Sequence, residues 1–262
     1  MNEAPIHLWG LVAGYGLLII PLAVLLWTRT PLVGKMLIGV VRMTVQLLLV
    51  GFYLQIVFDL NLSWLNGVWV LVMIGVADIS IIRGAGLRIR KLALPLFLSL
   101  LVGIMIPLLF FLAVILRQSC LLEARFVIPI AGMILGNCLR ANIIGIRRFY
   151  QSIRQGEKPF CQQLADGASL AEATKAHLQN AMQEALAPTL ATMATIGVVS
   201  LPGMMTGVIL GGADPMTAIR YQIAIMIAIF TGTSITILLG ILSTRRAGFD
   251  DFGMLKKDVF KS

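Results

Sequence analysis

Long stretches of apolar residues alternate with polar segments along most of the chain. A helix needs about 20 mostly apolar residues to cross the hydrocarbon core of a membrane, and seven stretches meet this requirement. Because backbone groups in lipid must be hydrogen-bonded within their own segment, such runs favour helices. The pattern predicts an all-α, polytopic integral membrane protein. The seven predicted spans are residues 8–28, 36–58, 64–82, 93–116, 126–146, 189–212 and 216–243.

The Lys and Arg residues lie mainly on one side of this predicted bundle. The segments that follow the first, third, fifth and seventh spans contain 16 of them, while the opposite side contains only Arg117, Arg125 and Arg220. Cytoplasmic loops of membrane proteins carry the excess of Lys and Arg. We therefore predict that the N-terminus lies outside the cytoplasm and the C-terminus inside it.

The composition supports a membrane protein and excludes other classes. Hydrophobic residues make up 58% of the 262 residues, charged residues only 13%, and the mean hydropathy is +0.93. A soluble domain carries about 25% charged residues. We attribute the net charge of +9 to cytoplasmic loops and not to a nucleic-acid partner. Cys120, Cys138 and Cys161 lack the spacing typical of a zinc site or a disulfide framework.

One polar segment, residues 147–188, is long, and the predicted orientation places it in the cytoplasm. Glycine and proline interrupt it, so we expect a short helix over residues 159–166 that ends at Gly167. The pattern from Ser169 to Glu172 is typical of a capping box, in which each side chain bonds the other's backbone. A second helix should begin there.

This second helix should end before Pro188, because the residue before a proline disfavours helical geometry. The result is a cytoplasmic helix-turn-helix between the fifth and sixth spans. It is either a solvated connector or a docking element for a cytoplasmic partner. The candidate docking residues are Leu164, Asp166, Gly167, Ala168, Ser169 and Glu172.

Small residues recur every four positions in two predicted spans. They are Gly132 and Gly136 in the fifth span, and Gly203, Gly207 and Gly211 in the sixth. This spacing lets two helix backbones approach closely, within one chain or between two copies. We expect these spans at or near the centre of a homodimer.

Two prolines, Pro129 and Pro202, lie inside the fifth and sixth spans and predict broken helices, because proline removes a backbone hydrogen bond. Transporters place substrate sites and hinges at such breaks. The alternative is a structural kink buried against a neighbouring helix. The candidate pathway and hinge residues are Pro129, Gly132, Met133, Asn137, Pro202, Gly203, Met204 and Met205.

Polar residues within the spans are few: Arg42, Gln46, Asp78 and Arg140 are the most prominent. An intramembrane charge is costly and often functional. The three charged residues lie near the predicted cytoplasmic ends of their helices. This position favours snorkelling or a structural ion pair of Asp78 with Arg42 or Arg140.

The spans offer little for metal binding or catalysis. No cluster of His or carboxylate residues has metal-ligand spacing, so no metal site is assigned. The thioethers of Met133, Met204 and Met205 suit soft metals, but methionine is also an ordinary packing residue. The chain has no phosphate-binding loop and no Ser/His/Asp set. We expect no enzyme activity, so any ATP must be hydrolysed by another subunit.

Two blocks of sequence resemble signatures of the FetB-type permeases, the iron-export ABC permease family. The first block is VIPIAGMI at residues 127–134, and the second is VVSLPGMMTG at residues 198–207. Further matches extend the resemblance over about residues 40–225. The second block is the more specific.

The resemblance implies the membrane half of an ABC transporter, a single permease domain over residues 1–262 that binds no cofactor. Two copies would pair with two copies of a separate, FetA-like ATPase that binds ATP and Mg²⁺, in a bacterial inner membrane. Bacterial members are associated with iron export and resistance to oxidative stress. Plant relatives are linked to aluminium tolerance and, in one case, to nucleotide-sugar transport. Arg140 stands where the family pattern implies a small or apolar residue.

Two other classes fit parts of the pattern. An ion-coupled secondary transporter or channel needs no ATPase, but it predicts a buried acidic relay, and Asp78 is the only acid well inside a predicted span. A seven-helix receptor shares the predicted topology. The cytoplasmic helix-turn-helix and the family resemblance count against a receptor.

Overall fold

The computed structural model describes residues 8–60, 62–118, 120–250 and 252–256. These residues form α-helices joined by short connections, and they include no β-strand. A π-helical turn, Phe111–Ile115, extends α5. The helices are α1 Leu8–Gly16, α2 Ile19–Trp27, α3 Val33–Leu60, α4 Ser63–Ala85, α5 Ile89–Phe110, α6 Ala124–Gln155, α7 Glu157–Ala165, α8 Leu170–Thr195, α9 Gly203–Leu210 and α10 Pro215–Gly248.

Six helical segments among the described residues are long and apolar enough to cross a membrane. The first combines α1 and α2, and the others lie within α3, α4, α5 with its π-helical turn, α6 and α10. The prediction of an all-α, polytopic membrane protein is confirmed. The count of seven spans and the orientation stay predictions. The six segments are Trp9–Trp27, Val33–Phe58, Ser63–Ala85, Leu92–Ile115, Ala124–Gln155 and Pro215–Arg245.

The sixth predicted span, residues 189–212, is not one continuous helix. Its first part belongs to α8, which ends at Thr195, and its last part contains the short α9. Between them Gly197 has a φ of 87°, a left-handed conformation that glycine adopts at little cost. Pro202 then lacks the backbone donor needed to continue a helix. The break expected near Pro202 is present, and it is wider than a single kink.

Two boundaries predicted from prolines are wrong. Helix α6 runs without a break through Pro129, and α8 runs through Pro188 to Thr195. A proline removes one helical hydrogen bond, and the bonds of the flanking residues maintain both helices. The short helix predicted over residues 159–166 also begins earlier than expected, at Glu157, because Pro159 then occupies the first turn, where its missing N–H costs nothing.

The described residues divide into two compact units. One comprises Met1–Leu60 with Leu210–Gly212, and the other comprises Asn61–Ile209 with Ala213–Ser262. In the first unit the Tyr15 and Thr44 hydroxyls lie 2.6 Å apart and join α1 to α3. The most apolar windows of its two candidate spans contain no buried residue. Their apolar surface is therefore available to lipid or to another protein.

The core of the second unit is formed by α4, α5, α6 and α10. Glycines let these helices approach closely: a Cβ at Gly103 would lie 2.5 Å from Thr236 Cγ2, and one at Gly232 would lie 3.0 Å from Ile134 Cγ2. Polar contacts add specificity, since Asn142 Nδ2 donates to Thr236 Oγ1 at 2.8 Å. Helix α10 is thus held against both α5 and α6.

Helices α6 and α8 form an antiparallel pair that extends beyond the predicted spans. A Cβ at Gly145 would lie 3.1 Å from Ala185 Cβ. Further along, Arg148 Nε and Glu184 Oε1 form an ion pair at 2.8 Å. The Ser152 hydroxyl lies 2.8 Å from His177 Nδ1. Helix α7 and the turn that follows it lie at the far end of this pair.

Candidate transport pathway and cytoplasmic turn

The α7–α8 turn, residues 164–172, reverses the chain through Gly167. Its φ of 94° lies in the left-handed region that glycine tolerates and that β-branched residues adopt poorly. The Gly167 N–H donates to the Leu164 carbonyl at 3.1 Å, and the Ala168 N–H donates to the Gln163 carbonyl at 3.0 Å. These bonds are the glycine-based helix ending expected from the sequence.

A capping box begins α8, as the sequence predicts. The Glu172 N–H donates to Ser169 Oγ at 3.3 Å, and Glu172 Oε2 accepts from the Ser169 backbone N–H at 2.8 Å. Glu172 Oε2 also accepts from the Ser169 hydroxyl at 2.6 Å. The bonds from Ser169 lower the pKa of the exposed Glu172 carboxyl below its ordinary value. The start of α8 is therefore tied to the turn by side chains as well as backbone.

The structure brings the six candidate docking residues together in this turn. Asp166, Gly167, Ser169 and Glu172 are exposed, whereas Leu164 and Ala168 are partly buried. Gln162 Nε2 donates to Asp166 Oδ1 at 2.9 Å, which holds one carboxylate at the end of α7. The turn therefore presents two acidic side chains on a backbone that is hydrogen-bonded on both sides.

Sequence reasoning missed a C-terminal hairpin, residues 249–256, that packs on this turn. Asp250 Oδ1 accepts from the Phe252 N–H at 3.0 Å and from the Met254 N–H at 2.7 Å. Gly253 has a φ of 75°, and a Cβ there would lie 3.2 Å from Leu164 Cδ1. The aspartate and the glycine three residues later are ordinary turn residues. In the sequence, Asp250 and Gly253 were therefore the residues that could have indicated this hairpin.

The hairpin inserts one aromatic ring and exposes another. Phe249 is 3% exposed, and its ring centroid lies 6.4 Å from Tyr150 and 6.0 Å from Phe160. Phe252 is 87% exposed. The Phe249 contacts join the end of α10 to α6 and to α7. The hairpin and the α7–α8 turn therefore belong to one structure attached to two candidate spans.

The candidate pathway residues on α6 make few contacts with other helices, and most of them are partly exposed. Gly132 approaches α4, since a Cβ there would lie 3.4 Å from Met73 Cε. Asn137 Nδ2 donates to the Met133 carbonyl at 2.8 Å within the same helix. Met133 and Asn137 are partly exposed. Pro129 is likewise exposed, in the second turn of α6.

The break between α8 and α9 borders an apolar cavity of about 450 Å³. Met193, Met205 and Met226 line it, together with Gln222 from α10. Pro202, Gly203 and Met204 lie beside the break, and Met204 is outside the cavity lining. The cavity size falls within the range of about 300–1,000 Å³ that is typical of small-molecule sites.

A second, smaller cavity of about 100 Å³ lies between α6 and α8. Asn137 and Arg140 line it from α6, and Thr189 and Thr192 line it from α8. Of the eight predicted pathway and hinge residues, Met205 lines the larger cavity and Asn137 lines the smaller one. The other six line neither of these two cavities.

Asp78 is buried in α4, with 3% of its surface exposed. Its Oδ1 atom has no hydrogen-bond partner, and the structure forms no ion pair between Asp78 and Arg140. The proposed pairing of these two residues is therefore absent. Arg42 and Gln46 lie on α3 in the other unit.

No group of three or more His, Cys, Asp or Glu side chains in the described part of the chain is arranged to hold a metal ion. Cys138 is buried, and its sulfur lies 3.7 Å from Thr233 Oγ1. Cys161 Sγ lies 3.6 Å from the Met254 thioether. These cysteines have packing roles at helix and hairpin contacts.

The family model of UPF0014, described as an uncharacterised protein family, matches residues 8–249. The chain belongs to UPF0014. A UPF0014 membrane protein of Synechocystis is 34% identical over 223 residues, which cover 85% of this chain and 86% of the relative. The UPF0014 chain is therefore a multi-pass membrane protein, in agreement with its candidate spans.

Two further relatives carry descriptive names. The Arabidopsis thaliana protein ALUMINUM SENSITIVE 3 is 35% identical over 197 residues, covering 74% of this chain and 69% of that protein. The Escherichia coli protein named probable iron export permease protein FetB is 31% identical over 205 residues, 78% of each chain. No solved structure matches the chain. The resemblance to FetB-type permeases is thus confirmed.

Proposed function

We propose that this chain is the permease subunit of an ABC transporter, which exports iron or another metal with ATP hydrolysed by a separate, FetA-like subunit. The observation that carries the proposal is the α7–α8 turn, which is hydrogen-bonded on both sides, exposed and attached to candidate spans. The name of the Escherichia coli relative supports iron export. The membrane of residence would be the bacterial inner membrane.

The α7–α8 turn is suited to transmit movement from an ATPase to the membrane. Helix α6 is continuous from Ala124 to Gln155, so it connects the candidate span directly to the cytoplasmic structure. The Arg148–Glu184 ion pair ties α8 to α6. Phe249 connects the end of α10 to the same structure. A displacement of the turn therefore reaches α6, α8 and α10 through packed contacts.

We further propose that two copies of the chain assemble around the transport pathway. A Cβ at Gly203 or at Gly207 would meet no atom of the described residues within 4 Å. The described part of the second unit therefore leaves room beside these two glycines, as expected if another helix approaches them. Replacement of Gly207 by Leu should reduce dimer formation or transport.

The proposal is tested by reconstitution. The chain is co-expressed with a candidate ATPase subunit, purified and incorporated into vesicles, and ATP-driven movement of Fe²⁺ is measured alongside other metals and nucleotide sugars. We expect co-purification and ATP-dependent transport. A chain that never associates with an ATPase, and that transports a solute without ATP, would contradict the proposal.

The buried Asp78 favours a second candidate, an ion-coupled secondary transporter. An unpartnered intramembrane carboxyl group is suited to take up a proton or a cation. Asp78→Asn separates the two functions. It should abolish transport driven by a proton gradient if the second candidate is correct, and it should leave ATP-driven transport largely intact if the first is correct.

A further inference from the structure

The small cavity between α6 and α8 adjoins the candidate span in α6, yet four of its eight lining residues are polar. At about 100 Å³ it is well below the volumes of about 300–1,000 Å³ that are typical of drug-sized ligands. It therefore suits one small group. This small cavity shares no lining residue with the methionine-lined cavity or with the α7–α8 turn.

The local packing explains why the cavity exists. Helices α6 and α8 touch where a Cβ at Gly145 would lie 3.1 Å from Ala185 Cβ. Pro188, which also lines the cavity, follows within one helical turn of Ala185. The cavity lies next to this close contact, where α6 contributes Arg140 and α8 contributes Thr189.

The electrostatics of the cavity are strongly one-sided. Arg140 has no ion-pair partner within the described ranges, and no carboxylate lines the cavity. The neighbouring acid on α8, Glu184, pairs with Arg148 at 2.8 Å. Arg140 is exposed, and its guanidinium offers a positive charge and five N–H donors that the described residues do not satisfy.

Two further lining residues supply donors. The Thr189 hydroxyl has no hydrogen bond to the described residues, and the Asn137 amide uses one N–H on the Met133 carbonyl and keeps a second. Thr192 differs, because its hydroxyl already donates to the Pro188 carbonyl at 2.9 Å. A donor-rich, positive cavity repels a metal cation and attracts an oxyanion.

We propose that this cavity binds a phosphate-like oxyanion, held by Arg140 with help from Asn137 and Thr189. The planar guanidinium binds phosphate and carboxylate oxygens in a bidentate manner. Two sources share this chemistry, the phosphate of a membrane lipid and a soluble oxyanion. As a cargo site, the cavity rests on the proposed transport function, and it implies that a metal cargo passes as a complex with an anionic ligand and not as the bare cation.

The binding is tested on the purified chain without any ATPase. A Thr192→Cys reporter, in a background with Cys120 and Cys161 replaced by Ser, is labelled with a maleimide in dodecyl maltoside, which contains no phosphate. Inorganic phosphate should slow labelling at least tenfold at saturation. Arg140→Leu should abolish this protection, and Arg140→Lys should weaken it, because Lys keeps the charge but not the bidentate geometry.

The matched control is Arg125→Leu, which removes the same charge from the same helix outside the cavity. This variant should retain full protection. Loss of protection in both variants would indicate a general charge effect and would overturn the proposal. Equal protection in Arg140→Leu and the unchanged reporter, or no protection by phosphate or lipid in any variant, would overturn it as well.

A second arm identifies the source. The reporter is placed in nanodiscs with phosphatidylglycerol, and bound lipid is counted by native mass spectrometry. Protection by added inorganic phosphate in both media indicates a soluble oxyanion. Protection by phosphatidylglycerol alone, lost with Arg140→Leu, indicates a lipid phosphate. Either result supports the oxyanion site. Because neither arm uses ATP, a failure of ATP-driven transport would contradict only the proposed function.

Discussion

At the scale of single residues, glycines decide how closely the helices of the second unit pack. Among the described glycines, an added Cβ would lie closest to another atom at Gly103, at 2.5 Å, and at Gly84, at 2.7 Å, and both lie outside the four-residue pattern visible in the sequence. At Gly203 and Gly207, which belong to that pattern, an added Cβ would meet no atom of the described residues within 4 Å. The spacing of small residues shows where another helix could approach closely, but only the fold shows which glycines lie at a helix contact.

We predict that Gly103→Leu severely destabilises the chain. A Cβ at this position would lie 2.5 Å from Thr236 Cγ2 and 3.0 Å from the Thr236 backbone nitrogen, so the helices must separate. Overpacking of this kind costs about 1–3 kcal/mol or more. The measurement is the melting temperature in detergent. Gly136→Leu, where a Cβ meets no atom within 4 Å, is the control and should melt near the unchanged chain; equal melting of both variants would contradict the packing described.

His177 predicts a pH dependence of the structure formed by α7, α8 and the turn between them. Burial lowers the pKa of His177 from its ordinary 6.5, so the folded state favours the neutral ring. The stabilisation is fully present above about pH 6.5 and is lost as the pH falls through the folded-state pKa. Proteolysis of the α7–α8 region should therefore accelerate between pH 7.5 and 5.

The control for this prediction is His177→Gln, which cannot gain a charge in that range. Its proteolysis rate should vary less with pH than that of the unchanged chain. The pKa of the Glu172 carboxyl is lowered, so protonation of Glu172 weakens the capping box only at still lower pH. The titration of His177 and that of Glu172 are therefore separable. An identical pH profile in both proteins would assign the dependence to another group.

At the scale of elements, apolar periodicity and capping patterns predicted the structure better than prolines did. The candidate spans outside residues 189–212 and the capping box at Ser169 follow from local sequence. Pro129 and Pro188 were expected to interrupt helices, but neighbouring hydrogen bonds maintain both. The C-terminal hairpin was not predicted, because its position depends on Phe249 meeting Tyr150 and Phe160 from distant parts of the chain.

We predict that Phe249→Ala detaches the hairpin from the α7–α8 turn. Removal of a buried aromatic side chain costs about 3–5 kcal/mol, and here the loss falls on one local contact. Amide hydrogen exchange over residues 160–172 should accelerate at least tenfold. Phe252→Ala removes an exposed ring of the same type and should leave exchange unchanged. Similar exchange in the two variants would show that Phe249 does not anchor the hairpin.

At the scale of the whole molecule, both units contain apolar candidate spans, and the second unit also carries the polar α7–α8 turn. The first unit leaves the apolar windows of its candidate spans uncovered, as expected for helices in lipid. The family and the candidate spans were predictable from the sequence, because composition and the two signature blocks are local properties. The cavities were not, since each is lined by residues from different helices.

The predicted topology is tested by cysteine accessibility. Asp214→Cys, in a background lacking Cys120 and Cys161, should react with a membrane-impermeant maleimide added outside intact cells. Ala168→Cys should react only after the membrane is opened. The reverse pattern would show that the Lys and Arg distribution has been misinterpreted.

The central claim is that the α7–α8 turn couples ATP hydrolysis to transport, and Gly167 tests it most directly. Gly167 has a φ of 94° and open space around its Cα, so a substitution there strains the backbone without a steric clash. Gly167→Val should leave the chain folded in the membrane yet reduce transport per ATP hydrolysed at least tenfold. Gly167→Asn, which tolerates positive φ, should retain coupling. Normal coupling in Gly167→Val, measured in vesicles with the partner ATPase, would contradict the account.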